Sequence, residues 1–178
     1  MGQLIKCLTV CFLSVSLLFL GTGAGKVMAN SQHTVPYYED HSKRVGYKNV
    51  NEAVMEFEMD CKCGVKLPSL MPDITFTHEF ASLYKDKIHG SNKILQVRFV
   101  NRKIKSNNFK IEVRKDKVDF EGTEYMLQGG TKGIYFKDNL YDYLAFEKNY
   151  LQYIVGLDRN VDNGNTVQVL IDIANTFN

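Results

Sequence analysis

The chain has 178 residues, 24% of them charged and 44% hydrophobic, with four cysteines and a formal net charge of +2. Beyond an N-terminal leader, that length allows one domain with a real core and rarely two, and so few cysteines exclude a small fold stapled by many disulfides. The basic excess comes from Lys6 and Lys26; from residue 30 onward the chain holds 20 basic and 20 acidic residues, so no general nucleic-acid binding is expected.

The first charge, Lys6, precedes an apolar stretch from Cys7 to Leu20, and Gly21-Thr22-Gly23-Ala24-Gly25 ends any helix there. Val27-Met28-Ala29 supplies the small residues of a peptidase site, so residues 1–29 read as a secretory signal cleaved after Ala29. The apolar run is shorter than the roughly 20 residues of a spanning helix. Cys7 and Cys11 sit inside it rather than just after it. A secreted product with no stable transmembrane or lipid anchor is therefore expected. Residues 30–48 are polar and aperiodic and read as a flexible arm. From Asn49 the pattern turns helical: Val50, Ala53, Val54 and Phe57 fall at i, i+3, i+4 and i+7, with Asn49 or Asn51 as the N-cap. Cys61-Lys62-Cys63-Gly64 closes this helix. Pro68 and Pro72 then make a stiff connector that cannot be a central strand.

After Asp73 the period falls from 3.6 to 2. Ile74, Phe76, His78 and Phe80 alternate with polar residues, as do Leu95, Val97 and Phe99, and then Phe109, Ile111 and Val113. Further strands are expected at Glu124 to Leu127, Ile134 to Lys137, Tyr143 to Glu147 and Tyr150 to Leu157, the last two joined at Lys148-Asn149. Val167, Leu170, Ile171, Ala174 and Phe177 stripe a final helix capped by Asn165 or Thr166. Successive strands between two helices predict an α+β domain over residues 49–178. Its architecture is a single curved antiparallel β-sheet packed on an N-terminal and a C-terminal α-helix.

Val65-Lys66-Leu67-Pro68-Ser69-Leu70-Met71-Pro72, the Thr131-Lys132-Gly133-Ile134-Tyr135 strand, the hairpin from Leu144 to Tyr153 and the Leu170-Ile171-Asp172-Ile173-Ala174-Asn175 helix together resemble one family. It is the Gram-positive extracytoplasmic domain of unknown function found in secreted proteins, sporulation lipoproteins and the outer domains of some anti-sigma factors. The resemblance covers about Asn49 to Phe177. It implies a half-open antiparallel sheet wrapped on helices, distantly similar to lipoprotein-carrier folds, with no catalytic residues to carry over.

Cys61 and Cys63 are the only cysteines outside the leader. They could close a small disulfide ring, exchange as a redox pair, or bridge two molecules. Two thiolates also hold a soft cation, with His78 and His89 nearest and His33 and His41 in the arm. No second C-x-C or H-x-x-x-H spacing supports a metal, and His78 reads as a buried or edge histidine of its strand.

Charge is placed unevenly. Lys85 to Lys117 holds eleven basic residues and three acids, whereas Val118 to Asn178 holds four and nine. Arg98, Lys110 and Arg114 fall on outward strand faces, and Tyr143 and Tyr153 flank the last hairpin with Tyr141 and Tyr150. A basic stripe and an aromatic patch are thus expected to contact an envelope protein, an anionic polymer or a lipid. Neutralisation by adjacent acidic strands and simple cross-strand tyrosine packing are the alternatives. No G-x-S-x-G, H-E-x-x-H, P-loop or dinucleotide fingerprint is present, and Gly129-Gly130-Thr131-Lys132-Gly133 is a turn. The expectation is a secreted, non-enzymatic binding or interaction domain of the bacterial cell envelope, without a cofactor. The alternative is a thiol-based redox or metal-binding role at Cys61 and Cys63.

Overall fold

The computed structural model describes residues 46–85, 92–161 and 164–177. The expected signal, the arm up to residue 45, and His33, His41 and His89 lie outside the described residues.

Asn49 starts helix α1 (Val50–Cys61) by accepting the Asn51 N–H on its side-chain oxygen at 2.9 Å. On the exposed side of α1, Lys48 pairs with Glu52 and Glu56, and Lys93 of the sheet reaches Glu56 and Asp60. Left-handed Lys62, with φ 52°, stops the helix and turns its own N–H back to the Glu58 carbonyl.

The strands are β1 (His78–Lys85), β2 (Lys93–Val100), β3 (Asn108–Arg114), β4 (Thr123–Met126), β5 (Lys132–Lys137), β6 (Tyr141–Lys148) and β7 (Leu151–Asp158). They form a seven-stranded sheet in the order β1-β2-β3-β7-β6-β5-β4, with every neighbouring pair antiparallel. Two meanders, β1 to β3 and β4 to β7, therefore meet where β3 pairs with β7. The link from β3 to the far edge crosses β7, β6 and β5. Helix α2 (Thr166–Ala174) closes the chain, capped by Asn165, which accepts the Gln168 N–H at 3.3 Å. The protein is α+β, with both helices packed on the sheet.

The alternation assigns one face of the sheet to the helices. Val50, Ala53 and Phe57 of α1, and Leu170, Ile173 and Phe177 at the other end of the chain, cluster with Leu95, Val97, Ile111, Val113, Leu144 and Val155. Full burial of each of the larger side chains, Ala53 apart, contributes roughly 1.5–3 kcal/mol. No helix among the described residues is long and apolar enough to cross a membrane.

Three local expectations shift. The run from Ile74 to Phe80 is not one strand face: Ile74 and Phe76 pack with the helix-side core, whereas β1 starts at His78 and Phe80 pairs with Arg98 on the opposite face. The break comes where Asn101 and Asn107 side-chain amides take the Thr75 carbonyl, and the backbone bonding to β2 begins only at the Thr77 N–H, which reaches the Val100 carbonyl at 2.9 Å. The last hairpin turns at Asn149-Tyr150, closed by Lys148 opposite Leu151, because Leu151 is buried and Tyr150 is not. Finally, the end of the arm belongs to the fold: Lys48 bridges Ala81 through two backbone bonds and Tyr47 packs edge-on to Phe80.

Candidate functional site

The face turned away from the helices carries the charge. Register places Arg98 directly opposite Lys110 across β2 and β3, and Gln96 opposite Glu112, to which it bonds at 3.0 Å. On β6, Tyr141 and Tyr143 share this face. Gly156 of β7 lies opposite both Lys110 and Tyr143. A Cβ on Gly156 would stand 2.8 Å from Tyr143 Cε1 and 3.3 Å from Lys110 Cε, so glycine lets the ring and the lysine stem lie flat on the strand.

Tyrosines make the direct contacts of the two cations, with the Glu112 and Asp138 carboxylates farther out. The Arg98 guanidinium donates to the Tyr141 hydroxyl at 3.3 Å; burial acts downward on its pKa, but the Tyr47 and Tyr141 phenols outweigh burial and hold it above the usual value. Lys110 Nζ lies 4.3 Å from the Tyr141 ring centroid and 4.8 Å from that of Tyr143, both within cation–π range. Burial lowers the Lys110 pKa, and Arg98 adds to that shift while Glu112 and Asp138 oppose it. Burial also raises the Tyr143 phenol, reinforced by the hydrogen bond it donates to Asp138 Oδ2 at 2.7 Å. For Asp138 burial acts upward, but bonds from Tyr143, Tyr141 and Leu140 hold its carboxyl below the usual value.

The aromatic layer continues sideways. Phe136 stacks on Tyr143 at 4.9 Å, and Phe120 of the crossover stacks on Phe136 at 4.4 Å. Gln152 pins the crossover by bonding both the N–H and the carbonyl of Val118. Between crossover and sheet lies a cleft of about 450 Å³, with Ile134 and Ala145 as floor, Phe120 as wall and Asp119, Lys132 and Glu147 among its lining residues. Lys117 pairs with Glu147 beside it.

No family model, no curated protein and no solved structure matches the chain. The family resemblance rests on the sequence motifs alone.

The five residues expected on one contact surface are only partly brought together. Arg98, Lys110, Arg114 and Tyr143 share the outer face; Tyr153 does not. Its register opposite Val113 and Phe146 turns it into the helix-side core, where it is fully buried and its hydroxyl accepts the Lys66 N–H at 3.1 Å. Arg114 and Tyr143 lie on the right face but are buried. Only Arg98 and Lys110 keep partial exposure. Tyr141, already read as part of the aromatic patch, completes the cluster with Asp138 and Gly156, which were not singled out from sequence. Tyr141 was legible as the i−2 partner of Tyr143, and Gly156 as a lone glycine within an apolar strand.

Cys61 and Cys63 are disulfide-bonded, with Cα atoms 5.3 Å apart across left-handed Lys62. Both are half-buried, the Cys61 carbonyl accepts Lys115 Nζ at 3.5 Å, and the Val65 N–H is held by Glu58 Oε1 at 2.8 Å. His78 shares a 2.8 Å hydrogen bond with Thr77 Oγ1. Among the described residues no three His, Cys, Asp or Glu side chains converge as a metal-holding group.

Proposed function

We propose that the chain is a non-enzymatic binding domain of the cell envelope, acting outside the cytoplasm. It takes an anionic group of an envelope protein or polymer at the Arg98–Lys110 pair. One observation carries this reading: two cations stand directly opposite on one sheet face, and their direct contacts are phenols and rings, with the Glu112 and Asp138 carboxylates acting on Lys110 without an ion-pair contact. An incoming anion supplies the missing counter-charge and gains from the low-dielectric floor of Tyr141 and Tyr143. The test is retention of envelope extract components by the secreted form of the protein at low and high salt. Binding should fall with salt and drop about tenfold in Arg98→Gln and Lys110→Gln, with melting temperatures unchanged within a few degrees. Equal retention by the double variant would remove the site.

A second reading rests on the Cys61–Cys63 bond. An external dithiol would attack one sulfur, pass two electrons to the pair and leave as a disulfide, while each cysteine takes up a proton. Metal binding competes with this reading, because the bond consumes the thiolates a metal needs. Thiol labelling after equilibration with graded dithiol buffers decides it: a pair that never opens in the folded protein rules the exchange out.

A further inference from the structure

Between β2 and β3 the chain reads Asn101-Arg102-Lys103-Ile104-Lys105-Ser106-Asn107. Arg102, Lys103, Ile104 and Lys105 are exposed, Ile104 by 50%. The frame beneath them is fixed. Buried Asn101 accepts the N–H groups of Lys103 and Ile104 on its side-chain oxygen at 2.8 and 3.0 Å, and donates its amide to the Thr75 carbonyl at 2.9 Å. Asn107 donates to the same carbonyl at 3.1 Å, and its N–H reaches the Ile104 carbonyl at 3.0 Å. The Arg102 N–H meets Thr77 Oγ1 at 2.9 Å. The backbone is thus ordered while the tip side chains project. Among the described residues no ion pair engages Arg102, Lys103 or Lys105.

The loop holds no carboxylate. At the same end of the sheet, Asp138 and Asp158 accept hydrogen bonds within their own turns. Leu140, 61% exposed, sits in the turn between β5 and β6, and its carbonyl accepts the Arg159 N–H at 2.9 Å. At this rim the β2–β3 loop therefore presents Ile104 among three cations, with Leu140 exposed at the same end and the Asp138 and Asp158 carboxylates held in their own turns.

We propose that this rim docks the domain on an anionic lipid bilayer, with Arg102, Lys103 and Lys105 at headgroup phosphates and Ile104 entering the boundary between headgroups and acyl chains. Charge complementarity selects the anionic surface, and the exposed aliphatic selects a bilayer over a soluble polyanion, which offers Ile104 no apolar phase to enter. A preordered loop also loses little conformational entropy on docking. The inference stands independently of the Arg98–Lys110 pair, which lies within the sheet rather than on its rim.

The experiment is co-sedimentation of the secreted form with vesicles of phosphatidylglycerol and phosphatidylcholine, against pure phosphatidylcholine and against soluble polyphosphate. Binding is expected on the anionic vesicles alone among the two lipid preparations. It should weaken about fivefold for each of Arg102→Gln, Lys103→Gln and Lys105→Gln, and on the order of 100-fold for all three. Ile104→Ser should lose about tenfold on vesicles and nothing on polyphosphate. All four side chains project into solvent, so the variants should melt as the parent does. Unchanged vesicle binding by the triple variant or by Ile104→Ser overturns the proposal. So does loss of vesicle binding in Arg98→Gln/Lys110→Gln while the loop variants still bind, which would move the lipid site onto the sheet face.

Discussion

Replacing Tyr150 by glycine should stabilise the protein. The hairpin between β6 and β7 closes with two central residues at positive φ, Asn149 at 50° and Tyr150 at 63°. This is the pattern of a type I′ turn, for which Asn-Gly is the favoured pair. Asparagine tolerates the left-handed region; a tyrosine there sets its Cβ against the following carbonyl at a cost of roughly 1–2 kcal/mol. Tyr150 is 93% exposed, so removing the ring sacrifices almost no burial. Glycine relieves the clash but gives up roughly 0.5–1 kcal/mol of extra chain entropy on folding. The balance is a gain of about 0.5–1 kcal/mol for Tyr150→Gly, or a rise of roughly 2–5 °C in melting temperature for a domain of this size. Tyr150→Ala keeps both the Cβ and the positive φ and should stay within about 0.5 kcal/mol of the parent. Urea denaturation of the three proteins, followed by far-ultraviolet circular dichroism, measures the differences. A loss of stability in Tyr150→Gly, or the same gain in Tyr150→Ala, would refute the reasoning.

Gly156→Ala should cost about 1–3 kcal/mol in the same assay, since the new methyl meets the Tyr143 ring, itself confined by Phe136 and Tyr141. In a Tyr143→Ala background the penalty should largely vanish, and additive effects would contradict it. Asp138 has its folded pKa below its unfolded one, so its stabilising contribution is present above the ordinary value of 3.8 and lost as pH falls through the lower folded value. Asp138→Asn should therefore be less stable than the parent at neutral pH and converge with it in strong acid; a constant difference across acid titration would contradict that assignment. Asn101→Ala leaves the Lys103 and Ile104 N–H groups without their acceptor and should cost about 1–3 kcal/mol, with faster protease cleavage at Lys103 or Lys105. An unaltered cleavage rate would mean that the loop is ordered by something else.

The sheet and both helices were legible because half-buried strands and amphipathic helices write their periods directly into the residue order. Boundaries were less legible where two faces compete for the same alternation. Ile74, Phe76, His78 and Phe80 read as one face, yet a break at the Asn101–Thr75 contact sends the first two to the helix side and the last to the outer face. That contact joins residues 26 apart and has no local signature. Tyr153 failed for a related reason. Its neighbours Gln152 and Ile154 lie on the outer face, but both faces of β7 are buried, so apolar alternation carries no information about side. The outer-face cations were legible as a charge excess. That their partners would be tyrosines was not, because the choice depends on β3 pairing with β7, the one sheet contact that joins the two meanders.

That pairing also explains how the fold tolerates the Arg98–Lys110 arrangement. Like charges directly opposite on a sheet destabilise by roughly 0.2–1 kcal/mol. A carboxylate at Gly156 or Tyr143 would relieve the repulsion but abolish the field that attracts an anion. A ring face under Lys110 instead returns roughly 0.5–1 kcal/mol through its quadrupole, and the Tyr141 hydroxyl accepts from Arg98, with neither adding a negative charge. The repulsion is offset without any negative charge beyond those of Glu112 and Asp138. For that combination β6 must bring tyrosines at positions 141 and 143, and β7 must carry no side chain at 156. The glycine and the two phenols are therefore parts of one device, and the cations depend on all three.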